Sequence, residues 1–114
     1  MSYDVVGSMF DGLSGTMIAL HEKLGITPRE YHAFEVDPYS SAVSLYNYPD
    51  IIRHGDARNW RNLKGKILDL FVAGFPCQSY SVAGLRQFQD DPRDMSKVLL
   101  DALRGLAIDK VLIV

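Results

Sequence analysis

The sequence predicts an open α/β fold, doubly wound around a mostly parallel sheet. Three observations predict it. Short apolar runs of strand character alternate with stretches of helical spacing. Glycine, proline and capping residues stand at the changes between them. The residues richest in chemistry sit just past the strand runs, where sheets of this kind bind ligands.

Each element has its own signal. Tyr3 to Phe10 is an apolar run that ends in the turn Asp11-Gly12-Leu13-Ser14-Gly15. Thr16 to Leu24 has helical spacing, and Gly25 marks its C-terminal stop. Tyr31 to Val36 reads as the second strand. Asp37-Pro38 then supplies an N-cap and a first-turn proline for a helix to about Tyr48. Its apolar positions are Ala42, Val43, Leu45 and Tyr46, and Pro49 lies just beyond. Ile51 to His54 is a short third strand before Gly55-Asp56. Leu68 to Ala73 is the fourth, with no helix predicted between them. A polar loop from Gln78 to Arg93 leads to a helix over about Asp94 to Leu106, and Lys110 to Val114 is the fifth strand.

Length and composition bound the function. A chain of 114 residues is one domain at most, with one modest core. No apolar run approaches the roughly 18 residues of a membrane span, and no signal peptide is visible. The single cysteine cannot form an internal disulfide, so a cytoplasmic setting is expected. His21, His32 and His54 lack metal-ligand spacing, so no metal site is expected. The net charge is −2, and the densest basic stretch is only Arg53, Arg58, Arg61, Lys64 and Lys66. Any grip on nucleic acid must come mostly from elsewhere.

Four strand ends carry the candidate chemistry. The turn Phe10 to Gly15 suits close approach of a ligand to the main chain, or is a plain strand-to-helix turn. Glu35 lies about 20 residues further on, where open α/β sheets hold a ribose by its hydroxyls; alternatively it is a solvated or capping carboxylate. Asp56 follows a glycine and can accept from an exocyclic amine such as that of adenine, or simply belong to a turn. Cys77 is held between Pro76 and Gln78 just past the fourth strand. A lone cysteine is more often a buried structural thiol. The proline before it and the strand-end position favour a nucleophile, whose reactive form is the thiolate.

Taken in series, these segments resemble the cytosine-C5 DNA methyltransferase family, in the compact form found in bacteria and phages. Ser8 to Gly15 resembles its first cofactor motif, Glu35-Val36-Asp37 its second and Gly55-Asp56-Ala57-Arg58 its third. Gly74-Phe75-Pro76-Cys77-Gln78-Ser79-Tyr80-Ser81 resembles the nucleophile motif, with Gly84 in its place downstream. Asp90 to Arg93 resembles the segment that follows. The resemblance implies a Rossmann-like S-adenosylmethionine-dependent methyltransferase fold, represented here by its first five strands. It implies S-adenosylmethionine as cofactor. Phe10 and Val36 would line the adenine, and the backbone of Asp11, Gly12, Leu13 and Ser14 would hold the methionine part. Glu35 would bind the ribose, Asp56 beside Ala57 would meet the adenine amine, and Pro76 would border the pocket. Cys77 would add to C6 of a flipped cytosine in double-stranded DNA.

Departures from the family's pattern shape further expectations. Ser14 replaces the usual second glycine of the first motif, and Val36 replaces the stacking aromatic of some members, which should weaken cofactor binding. The chain ends before the family's Glu-Asn-Val motif, its arginine-bearing motif, its target-recognition region and its final helix. Residues 1–114 are therefore expected to be the N-terminal part of a catalytic domain, inactive alone on DNA, with a second polypeptide as one source of the rest. The alternatives are a non-catalytic S-adenosylmethionine-binding remnant and an RNA-directed member of the family. A dinucleotide enzyme is disfavoured, because the first turn lacks G-x-G-x-x-G.

Overall fold

The computed structural model describes residues 3–74 and 92–113. Five strands form one all-parallel sheet: β1 (Val5–Met9), β2 (Glu30–Phe34), β3 (Ile52–Gly55), β4 (Ile67–Ala73) and β5 (Ala107–Ile113). Their order is β3-β2-β1-β4-β5. The chain builds outward from β1 to β3, then returns to the other side of β1 to place β4. The reversal lies between β1 and β4, and there an open α/β sheet leaves a crevice at the strands' carboxyl ends.

The register brings those ends to one level. Met9 pairs with Phe34 on one side and with Ala73 on the other. Phe34 in turn pairs with Gly55, across an irregularity in the β2–β3 ladder. The residues that follow, Phe10, Glu35, Asp56 and Gly74, thus leave the sheet side by side. Sequence spacing alone does not contain this alignment.

Helical segments cover both faces. On one face Ala57, Trp60 and Leu63, with Leu99, Ala102 and Leu106, pack against Val5, Met9, Phe34, Leu68 and Phe71. These come from a 3-10 segment (Ala57–Leu63) and the helix that precedes β5 (Pro92–Gly105), with Leu106 just past that helix. Packing there is tight: a methyl group on Gly105 would stand 2.6 Å from the Trp60 ring. On the other face Met17, Leu20 and Ile51 pack against Val6, Tyr31 and Ala33.

Four elements differ from the sequence reading. The first helix, α1 (Gly15–Ile18), has one α-turn and continues as a π-turn over Ala19–Lys23, a feature frequent at functional sites. The 3-10 segment stands where no helix is expected; seven residues are too few to show a 3.6-residue period. The fifth strand starts at Ala107 rather than Lys110, because its pairing with β4 begins at Ile67. The second helix, α2 (Pro38–Asn47), has the predicted cap, with the Asp37 carboxylate accepting from the Ser40 amide at 3.2 Å. Its buried residue, however, is Ser44, while Leu45 and Tyr46 are exposed. Hydrogen bonds rather than apolar contact turn this helix inward. The helix from Pro92 to Gly105 is α3 below.

Candidate functional site

The first turn is a strained piece of backbone built around one carboxylate. Phe10 and Ser14 both have left-handed φ, 60° and 67°, a region that costs most residues about 1–2 kcal/mol. Gly12, with φ 61°, fits without cost. The Asp11 carboxylate compensates. One of its oxygens accepts from the Ser8 hydroxyl at 2.7 Å and from the Tyr31 hydroxyl at 2.6 Å. The other accepts from the Ser14 hydroxyl. Its amide donates to the Phe34 carbonyl at 3.0 Å, which ties the turn to the end of β2. Burial, and then the neighbouring Asp11 charge, push the Tyr31 hydroxyl far above the tyrosine range, so it remains a donor.

Glu35 is fixed by main-chain amides. Its Oε1 accepts from Gly12 N at 2.7 Å, and its Oε2 accepts from Val36 N at 3.0 Å and Asp37 N at 2.9 Å. A carboxylate offers about four acceptor positions, so these three bonds leave room for one hydroxyl donor. The first turn and the second strand end are thus one unit. A cavity of about 170 Å³ beside them is lined by Gly12, Glu35, Ser41, Ser44, Arg53 and Gly55. A larger, mostly apolar cavity of about 550 Å³ reaches from Phe10, Asp11 and Thr16 to Leu20, Val72 and Leu112.

The other expected residues are placed as follows. Val36 is partly exposed beside Glu35, Leu13 is exposed, and Ala57 is buried. Asp56 caps the 3-10 segment: its carboxylate accepts from the Arg58 amide and the Arg58 guanidinium, both at 2.9 Å. Gly55, its neighbour, shares the smaller cavity with Glu35. Pro76, Cys77 and Gln78 lie outside the described residues. Gly74 is described: its amide donates to the Met9 carbonyl at 3.2 Å.

The basic residues noted above are committed internally. Arg58 pairs with Asp56, Lys66 with Glu30, and Arg61 lies 4.4 Å over the Trp60 ring. Among the described residues no group of three or more histidine, cysteine or acidic side chains could hold a metal ion. No described helix is long and apolar enough to cross a membrane.

Sequence reasoning gave no site role to Tyr31, Ser44 and Arg53, and read Ser8 only as the start of the first motif. The one available signal was Ser14. A serine where the turn requires a left-handed residue implies that something holds its side chain.

Comparison with known proteins gives the family. Residues 5–110 match the family model for C-5 cytosine-specific DNA methylases. The chain belongs to that family. S-adenosylmethionine is the methyl donor that membership implies, and the amide-fixed Glu35 with its spare acceptor position fits a ribose there. A type II methyltransferase of Bacillus subtilis, M2.BsuMI, is 38% identical over 77% of this chain and 21% of its own length. A protein of Escherichia phage P1 named as a DNA N-6-adenine-methyltransferase is 37% identical over 76% of this chain and 12% of its own. The orphan methyltransferase M.Rho11sI of Bacillus phage rho11s is 33% identical over 77% and 18%. The chain thus spans about a fifth or less of the length of these relatives.

Proposed function

We propose that residues 1–114 are the cofactor-binding and nucleophile-bearing N-terminal part of a DNA cytosine-C5 methyltransferase domain. The observation that carries this reading is the levelled set of strand ends. Phe10, Glu35, Asp56 and Gly74 leave the sheet together, at the reversal of strand order, within a chain matched by the cytosine-C5 family model.

In this reading the backbone of Asp11, Gly12, Leu13 and Ser14 receives the methionine part of S-adenosylmethionine. Glu35 accepts from a ribose hydroxyl, Phe10 and Val36 flank the adenine with Pro76, and Asp56 beside Ala57 accepts from the adenine amine. The bound cofactor supplies an electrophilic methyl group on a sulfonium. The Cys77 thiolate forms a bond to C6 of cytosine, which places electron density on C5. C5 would attack the methyl carbon as its bond to the sulfonium sulfur breaks, leaving a neutral thioether; a base would remove the C5 proton, and that electron pair would re-form the C5–C6 double bond and expel the Cys77 thiolate. DNA is the substrate, held mainly by parts of the domain beyond these residues, because the net charge here is −2 and the basic residues are few and scattered.

The relative named for N-6-adenine chemistry sharpens the test. An exocyclic amine can attack a methyl group directly, with no thiol adduct, so only the C5 reaction requires Cys77. A duplex with 5-fluorocytosine at the target keeps fluorine where a proton must leave, and the adduct accumulates. The natural gene product, incubated with this duplex and S-adenosylmethionine, is expected to give a covalent complex by mass spectrometry. Cys77→Ala is expected to give none. Methylation of adenine that persists in Cys77→Ala would overturn the cytosine assignment.

A further inference from the structure

We infer that Arg53 and Ser44 are positioning residues for the cofactor turn, acting through Ser14 on Asp11 and so on the Gly12–Glu35 contact. The inference rests on the reading of Phe10 to Gly15 as that turn.

The hydrogen-bond chain has a direction that chemistry fixes. Arg53 Nη2 donates to Ser44 Oγ at 2.9 Å. Ser44 Oγ and Ser14 Oγ stand 2.6 Å apart, and Ser14 Oγ also contacts the Asp11 carboxylate. A carboxylate only accepts, and a serine has one hydroxyl hydrogen. Ser14 must spend that hydrogen on Asp11. The hydrogen between the two serines therefore belongs to Ser44. The order is Arg53 to Ser44 to Ser14 to Asp11, every donor pointing from the cation toward the anion. Bonds aligned in this way polarise one another.

Burial makes the chain matter. Ser14 is 0% exposed and Ser44 3%, so neither hydroxyl has water to fall back on. The same guanidinium also holds two backbone carbonyls. It donates to the Ile51 carbonyl at 2.9 Å and to the Tyr48 carbonyl at 3.1 Å, just past α2. The start of β3, the inner face of α2 and the end of β1 are thereby linked by directed hydrogen bonds rather than by apolar side-chain contact. At the turn the path sets two things: the left-handed conformation of Ser14, and the Asp11 position from which Gly12 N reaches Glu35. A side chain distant in sequence and outside the cofactor motifs thus aims the group that meets the ribose.

The test is amide hydrogen exchange on the 114-residue chain, with and without S-adenosylmethionine. Ser44→Ala is expected to speed exchange at Gly12 and Ser14 about tenfold, the scale of one lost buried hydrogen bond. The Leu106 amide, bonded to the Ala102 carbonyl at the end of α3 on the opposite face of the sheet, is the control and should stay within about twofold. Ser44→Thr keeps the hydroxyl, so it should restore the slow exchange. Arg53→Met, which spares every hydroxyl, should act like Ser44→Ala but more weakly. S-adenosylmethionine affinity by calorimetry should fall about tenfold in Ser44→Ala and recover in Ser44→Thr. Unchanged exchange at Gly12, equal acceleration at Leu106, or unchanged affinity in Ser44→Ala would overturn the inference. A wild-type chain that binds no S-adenosylmethionine would instead count against the cofactor reading, and the exchange rates would still decide the role of Ser44.

Discussion

On one face of the sheet Trp60 packs against Gly105, Leu99 and Phe71; on the other, three serines, a tyrosine and an arginine converge on Asp11. The first face is held by shape. Its cost of disruption is a cavity or a clash. The second is held by directed bonds that end in a carboxylate, and disruption leaves a buried polar group without its partner. The strand ends that bear the proposed site belong to both: the first face bonds the end of β3 through the Asp56 cap, and the second bonds the ends of β1 and β2 through Asp11. The difference teaches where stability and function separate in so small a sheet: the Trp60 face keeps the sheet folded, and the Asp11 face decides what its edge presents.

Mutations on the two faces should therefore part company. Trp60→Ala carries the largest expected loss of stability, about 3–5 kcal/mol for a fully buried aromatic, read from urea unfolding. The fraction that remains folded should bind S-adenosylmethionine as the wild type does. A matching loss of affinity would break the distinction. Next come two substitutions of Ser14. Ser14→Ala removes the donor to Asp11 and should cost about 1–3 kcal/mol. Ser14→Gly removes the same donor but relieves the left-handed backbone, so it should be milder by about 1 kcal/mol. Equal losses would mean that the turn is not strained at this position.

The smallest effect is a pH dependence on the Trp60 face. His54 stacks on Phe34 with 4.9 Å between ring centres, and its Nε2 lies 2.8 Å from His32 Nδ1. Burial, then the charges of His32 and Lys66, hold its pKa below the ordinary 6.5. The unfolded chain therefore takes up the proton first. The stability this contributes is complete above pH 6.5 and is lost as pH falls below it. Glu30 adds the same sign lower down. Its bonds to Lys66 and then His32 take it from 4.5 to about 2, so its contribution fades as pH falls through that window. His54→Gln should flatten the upper part of the unfolding profile, measured in urea at stepped pH. A slope that persists would assign it to another group.

Much of this was legible in the sequence, for a physical reason. Strand runs, caps and turn residues are local signals, so the order of strands and helices could be read directly. Phe10, Glu35 and Asp56 were expected at strand ends because each sits just past such a run, and the sheet places them there. What could not be read depends on pairing across the chain. Tyr31 lies 20 positions from Asp11, and Ser14 lies 30 from Ser44; no periodicity links them. The burial of Ser44 in place of Leu45 and Tyr46 shows the same limit, since apolar spacing cannot foresee a helix turned inward by an arginine on a neighbouring strand. The 3-10 segment escaped because its apolar residues, Ala57, Trp60 and Leu63, repeat every three positions over too short a run.

The central claim is that the levelled strand ends form a cofactor site organised by Glu35. Calorimetric titration of S-adenosylmethionine into the wild-type chain and into Glu35→Gln tests it most directly. Gln keeps the size but loses the charge that three amides and a ribose hydroxyl would share, so affinity should fall at least about tenfold. Equal affinity in the two chains would contradict the account.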